Sequence, residues 1–334
     1  MSSEPRRDSF GDRSDTEAAA AALRPLRIAF ESTDPAAVAA QPDVLALIGF
    51  GQVALPDDPR CLRVGLEPTG AAPLEVWRAS GPVRTGQDGE VRWAGDGDYT
   101  FFSIELPEDA EGSIGAAAER VYRRLGEWLG QRPLHVLRLW NYFDAINEGD
   151  GDAERYRRFC TGRVAGMQGL FGGDYPAATV IGRQDGVRSL QVYGLAARRA
   201  GRPVENPRQL SAWRYPRDYG PTAPRFARAM CAPSGQILIS GTAAIVGHAS
   251  RHRDDVAAQL DETLANLDSV CAAAGAAAPL GEGSVLKVYV RRAADAAQVS
   301  QGVRRHLADR GEVLVLIGEV CRRELLVEID GSHG

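Results

Sequence analysis

Five cysteines, Cys61, Cys160, Cys231, Cys271 and Cys321, are scattered through the chain without a CxxC pair. Their odd number and wide spacing suggest neither a disulfide framework nor a zinc site. The five histidines are as dispersed. His248 and His252 in "GHASRH" stand four apart, but no HExxH glutamate or third ligand accompanies them, so no metal is expected. GxGxxG and GxxxxGK[ST] loops are both missing, which removes the usual nucleotide arguments. No apolar run is long enough to cross a bilayer, and "MSSEPRRDSFGDRSDTEAAAAAL" has no signal-peptide h-region. A cytoplasmic protein with no membrane partner is therefore expected. Charge of one sign is also lacking: 39 basic against 44 acidic residues leave a net −5. That balance offers no footprint for nucleic acid.

What remains is ordinary globular composition, with 44% apolar and 25% charged residues. At 334 residues the chain should form two domains or one large double-sheet body. The first sixteen or so residues, rich in Ser, Asp and Arg, are expected to be disordered, and an N-terminal segment 1–24 is set apart on that ground.

Residues 25 to 105 read as short strands separated by Gly/Pro turns. A helix is predicted from about Ser113 to Leu129, where Ala117, Val121, Leu125 and Leu129 fall four apart. Strand "HVLRLWNYF", helix "AERYRRFCTGRVAGM" and strands "AATVIGR" and "RSLQVYGLAA" follow. The second half repeats this order: "QILISGTAAIVG", a long amphipathic helix, strand "SVLKVYVRR", helix "ADAAQVSQGVRRHLADR", then strands "EVLVLIGEV" and "ELLVEID". The pattern predicts a duplicated α/β (α+β) unit: 25–200 as a degenerate first copy, 201–230 as a connector and 231–334 as the second copy. A cleft between two such units is a favoured place for a small-molecule site.

Two stretches stand out against this background. In "CRRELLVEID" a carboxylate, Glu328, interrupts an apolar strand, sharing one face with Leu326 and Asp330 while Leu325, Val327 and Ile329 share the other. That second face is either wet or lines a pocket. The connector "RPVENPRQLSAWRYPRDYGPTAPRFARAM" carries six arginines among prolines and aromatics. It is either a binding loop or a solvated basic connector.

The segments "ILISGTAAIVGH", "VLKVYVRRAADAAQV" and "RRELLVEID" resemble the RidA/YjgF-like fold, in which a last-strand glutamate faces a cleft. "RLWNYFDAINEGDGDAERYRRFCTGR", "YPRDYGPTAPRFARA" and "SGTAAIVGHAS" together resemble the chorismatase family, over nearly the whole chain from about residue 25. The resemblance implies cofactor-free removal of pyruvate from chorismate, with 3-hydroxybenzoate as the product, 4-hydroxybenzoate as a candidate second product, and Glu328 as general acid. It places Tyr215, Arg217, Arg163 and Arg291 on the substrate, with Ser240, Gly241, Thr242 and Ala243 approaching the ligand through backbone and small side chains. It gives Cys321 a part in product choice, since 3-hydroxybenzoate-forming members have Cys there. The fold resemblance allows a monomer or a small homo-oligomer, including a trimer. The competing readings are a chorismate hydrolase giving a dihydroxycyclohexadiene acid, a RidA-like imine deaminase, and a catalytically silent ligand-binding relative.

Overall fold

A computed structural model of the chain describes residues 23–71, 73–108 and 112–334. The disorder expected for the N-terminal segment falls almost entirely outside them; Leu23, at the border, is buried.

Among the described residues three larger sheets, of four, six and seven strands, organise the structure beside a two-stranded one, Ile245–Val246 with Ala249–Ser250. In the six-stranded sheet, spatial order runs Ala177–Arg183, His135–Asp144, Ser189–Ala197, Tyr99–Pro107, Val91–Gly95, Arg84–Asp88. In the seven-stranded sheet it runs, from the corresponding edge, Glu312–Ile317, Ser284–Val290, Val327–His333, Ile237–Ala243, Ala229–Cys231, Arg202–Val204, with the short strand Glu67–Pro68 added outside Glu312–Ile317. The two orders correspond strand for strand along the chain. Each sheet contains one parallel pair joined through a helix: Arg155–Gly166 links His135–Asp144 to Ala177–Arg183, and Ala296–His306 links Ser284–Val290 to Glu312–Ile317. The repeated sequence pattern is thus a repeated topology.

Residues 27 to 78 depart from a single N-terminal unit. Arg27–Glu31, Leu74–Arg78, Val44–Phe50 and Cys61–Val64 form their own four-stranded sheet. Hydrophobic period identifies strands but not their hydrogen-bonding partners, so this separation was not visible in the pattern.

The two large sheets share a core between their inner faces, built around Trp77, Trp140, Tyr142, Tyr193 and Tyr289. Trp140 and Tyr193 stack with ring centroids 4.9 Å apart. Helices cover the outer faces. Ile114–Gly130 begins at Ser113, whose hydroxyl accepts from Ala116 N at 3.2 Å, and it buries Ala117, Val121, Leu125 and Leu129 against the six-stranded sheet. Helix Arg155–Gly166 lies so tightly on it that side chains at Gly162 and Gly166 would overlap the carbonyls of Gly115 and Glu119. On the other sheet, Val256–Ala274 is capped by Asp255 and ends at Gly275, φ +86°. Among the described residues no helix is long and apolar enough to cross a membrane.

Edge strand Ala177–Arg183 stitches the sheets together. Gly182 and Glu319 exchange backbone hydrogen bonds of 2.8 and 2.9 Å, and Ser240 Oγ accepts from Ala178 N at 2.9 Å while donating to Ala227 O at 2.6 Å.

Candidate active site

The last strand, Val327–His333, alternates as its sequence requires. Val327 and Ile329 enter the helix-side core, while Glu328 turns to the junction of the two sheets and is 4% exposed. Leu325 precedes the strand and packs in a separate small cluster with Ala244 and Val320. Room for the Glu328 side chain comes from its neighbour. The pairing of Ile237–Ala243 with the last strand slips by one residue between Ile239 and Thr242, a β-bulge that presents Gly241 to the carboxyl. Among the described residues that carboxyl has no hydrogen-bond partner. Burial, then the nearby Asp330 charge, push its pKa up to about 8 against the opposing pull of Arg138, Arg228 and Arg291. Glu328 is therefore predominantly protonated at pH 7.

The pocket in front of Glu328 has walls from both units. Helix Arg155–Gly166 supplies Tyr156, Phe159, Cys160 and Arg163, and the edge strand supplies Ala178 and Val180. The connector contributes Tyr215, Tyr219, Phe226 and Arg228; Gly241, Ala243, Cys321 and Arg322 complete the far side.

Three guanidinium groups face this space with donors to spare. Arg163 is 2% exposed; its Nη1 donates to Arg225 O at 2.9 Å, while Nε and Nη2 are buried without a hydrogen-bond partner among the described residues. Arg228 donates through Nη2 to Leu210 O and Tyr215 OH, both at 2.7 Å, and its Nε has no partner among the described residues. Arg322 donates through Nη1 to His248 O at 2.8 Å and Ser250 Oγ at 3.0 Å and lies 3.9 Å over the Tyr219 ring, and its Nη2 has no partner among the described residues. Unsatisfied buried donors on fixed cations are costly without an anion, and a carboxylate is the geometric match to an arginine fork.

Cys321 opens onto the same pocket. Burial first, then the Glu328 carboxyl, push its thiol up to about 12, so it is a neutral SH at physiological pH. Burial likewise raises Cys160 to about 11.

The structure divides the residues expected from sequence. Glu328, Cys321, Arg163, Tyr215, Gly241 and Ala243 line one pocket. Four others do not. Arg217 makes a bidentate pair with Asp152, at 2.5 and 3.0 Å, on the surface. Arg291 spends its side chain on the carbonyls of Val320 at 2.7 Å, Leu325 at 2.8 Å and Arg322 at 3.0 Å, fixing the loop that carries Cys321 rather than facing a ligand. Ser240 is consumed in the stitch to Ala178 and Ala227, and Thr242 donates to Ser240 O at 2.9 Å. Missed in the sequence were Arg228, Arg322, Tyr156, Tyr219 and Cys160. Arg322 adjoins Cys321 and Arg228 ends the arginine-rich connector, so proximity to suspected residues was the available signal.

A buried neutral acid facing several fixed guanidiniums, between two like α/β units, defines a site for a small polyanionic substrate. Comparison with known proteins narrows this. The family described as "Chorismatase FkbO/Hyg5-like, N-terminal" matches residues 75–196. The chain is 35% identical to a 3-hydroxybenzoate synthase of Streptomyces hygroscopicus, over 79% of this chain and 82% of that one. It is 37% identical to a chorismatase of Streptomyces rapamycinicus, over 77% and 81%. A chorismatase crystal structure superposes with a TM-score of 0.80 at 31% identity, covering 94% of this chain and all of the other. The chain belongs to the chorismatase family.

Proposed function

We propose that this enzyme converts chorismate to 3-hydroxybenzoate and pyruvate, with Glu328 as general acid. The observation that carries this reading is a buried carboxyl, its pKa pushed up to about 8 and so protonated at neutral pH, in the wall of a pocket that arginines also line. Chorismate is a dicarboxylate whose enol ether cleaves once its methylene carbon, a poor base, has been protonated. A carboxylic acid that retains its proton at neutral pH suits that task, and general acid catalysis of this kind supplies roughly 10²–10⁴-fold.

Proton transfer from Glu328 leaves an oxocarbenium at the ether carbon. Capture by the neighbouring ring hydroxyl, which gives up its proton, forms a cyclic ketal; opening breaks one ring C–O bond and the bond from the ketal carbon to the other oxygen, so one ring oxygen leaves as the carbonyl of pyruvate and the other takes up a proton as the product hydroxyl. The carbon keeping its oxygen loses its hydrogen, the ring becomes aromatic, and a proton returns to Glu328. The sum consumes no water, since one chorismate gives one hydroxybenzoate and one pyruvate. Which ring C–O bond breaks decides between the 3- and 4-isomers.

Arg163, whose Nε and Nη2 have no hydrogen-bond partner among the described residues, receives one substrate carboxylate, and Arg228 and Arg322 receive the other. Cys321, as a neutral thiol, shapes the ring's surroundings or donates a hydrogen bond, and does not act as a thiolate. Incubating the purified protein with chorismate and identifying products by chromatography tests the reading. Equal yields of pyruvate and 3-hydroxybenzoate support it. A non-aromatic dihydroxy acid would assign a hydrolase, and unchanged chorismate would remove the substrate altogether.

A further inference from the structure

We propose that Asp330 is a positioning residue that keeps Glu328 in its neutral form, and that the first unit of the chain supplies most of the groups that hold Asp330 in place. This inference rests on the acid role just proposed for Glu328, and goes beyond it by assigning the source of that acid's protonation.

Glu328 and Asp330 are two residues apart on one strand and project from the same face. Asp330 is fully buried. Its Oδ2 accepts hydrogen bonds from Thr179 Oγ1 at 2.8 Å, Tyr289 OH at 2.9 Å and Trp140 Nε1 at 3.0 Å, and lies 3.3 Å from Arg138 Nη2. Arg138 also donates to Thr179 Oγ1 at 2.6 Å. Thr179, Trp140 and Arg138 all belong to the six-stranded sheet, so the contact crosses between units.

The hydrogen bonds to Asp330 gather on one of its two oxygens. Oδ1 has no hydrogen-bond partner among the described residues and stands 4.0 Å from Lys287 Nζ, an ammonium already bound to Glu75 at 2.7 Å. Arg138 touches the carboxylate through a single nitrogen, and its Nε and Nη1 have no hydrogen-bond partner among the described residues. A second negative charge beside such a group, in a desolvated site, is disfavoured. Other groups face Glu328 as well. Positive charge acts on it from Arg228 before strand Ala229–Cys231, from Arg291 after Ser284–Val290, whose donors hold the loop carbonyls, and from Arg138 in His135–Asp144. Arg163 and Arg322 border the pocket, where Tyr156, Cys160 and Cys321 are neutral. Burial and Asp330 together outweigh the cations, and Asp330 is the one that a substitution can remove without opening the pocket.

The test is a carboxyl titration of the substrate-free protein labelled with [5-¹³C]glutamate, the Glu328 resonance being identified by its loss in Glu328→Gln. Asp330→Asn should move the Glu328 midpoint to lower pH, Arg138→Gln should move it to higher pH, and the double variant should fall between them. A role confined to packing would not give shifts of opposite sign. An unchanged midpoint in both single variants would overturn the proposal. If Asp330→Asn loses its near-ultraviolet circular dichroism, Asp330→Ser, which removes the charge and keeps a polar group for Thr179 and Tyr289, takes its place, and a Glu328 midpoint that stays or rises in it overturns the proposal. The titration needs no turnover, so it stands apart from the acid role. If the midpoints move as expected but the alkaline limb of kcat/KM for pyruvate release does not follow them, the acid role fails while the Asp330 coupling holds.

Discussion

Gly241 lies so close to Glu328 that a methyl group in place of its hydrogen would overlap carboxyl oxygen Oε1 and sit 3.0 Å from the carboxyl carbon. The bulge in strand Ile237–Ala243 creates this approach, and the absence of a side chain lets the acid reach the pocket. Gly241→Ala should therefore displace the acid rather than merely crowd the core. We expect kcat for pyruvate release to fall by about 10²-fold, the usual consequence of a misplacement near 1 Å, with a stability loss of about 1–3 kcal/mol from overpacking. Kinetics beside a thermal melt check it. Normal turnover would show that Glu328 reacts from another position.

Glu328→Gln keeps the shape and removes the transferable proton. Turnover should fall by at least ~10²-fold. Stability should change in the opposite sense, with a defined pH dependence. Below pH 4.5 the carboxyl is protonated in both folded and unfolded chains and has no effect. Between 4.5 and about 8 the unfolded chain releases the proton that the folded chain retains, so wild-type stability declines as pH rises through this window. Gln escapes that cost. Denaturant unfolding should find the variant equal to wild type at pH 4 and more stable at pH 7, by up to roughly 3 kcal/mol.

Arginine substitutions should separate the pocket from the surface. Arg163→Met removes a buried fork and should raise the Michaelis constant for chorismate by at least ~30-fold, since breaking a desolvated charge pair costs about 2–5 kcal/mol. Arg217→Ala breaks an exposed pair with Asp152 and should leave both the Michaelis constant and the melt unchanged. The sequence motif pointed to both residues alike. A large effect at Arg217 with none at Arg163 would reverse the assignment.

Cys321→Ala should leave pyruvate release largely intact and lower the share of 3-hydroxybenzoate, in favour of 4-hydroxybenzoate or a diol acid. Because the thiol titrates only at about 12, the product ratio of the wild type should also be constant between pH 6 and 9. Chromatography of the products at several pH values measures both. Equal loss of pyruvate and 3-hydroxybenzoate in the variant would place Cys321 in the first step or in the fold.

Glu328 was legible because alternation along a strand is local: a carboxylate in an apolar run must face something other than the helix-side core. The repeated unit was legible for a similar reason, as "VLRLWNYFDAI" and "VLKVYVRRAADA" occupy corresponding strands of two sheets with the same order. Arg291 was misread because the strand ends at Val290, after which the direction of a side chain depends on which carbonyls lie within reach. Arg228 was one of six connector arginines, and its selection depends on its bonds to Leu210 O and Tyr215 OH. Tyr156 and Cys160 lie on a helix whose inward residues read alike whether they meet core or cavity. In each case the missing information was a long-range partner, which spacing does not encode.

The central claim is that a neutral Glu328 starts the reaction, and the pH dependence of kcat/KM for pyruvate release from chorismate tests it most directly. This quantity reports the free enzyme's essential groups. With a neutral Glu328 as the acid, the profile should show a plateau around pH 6–7 and a decline through an apparent pKa of about 8, approaching tenfold per pH unit beyond it, with the limb absent from the residual activity of Glu328→Gln. A wild-type profile that stays flat to pH 9.5, or rises with pH, would contradict it.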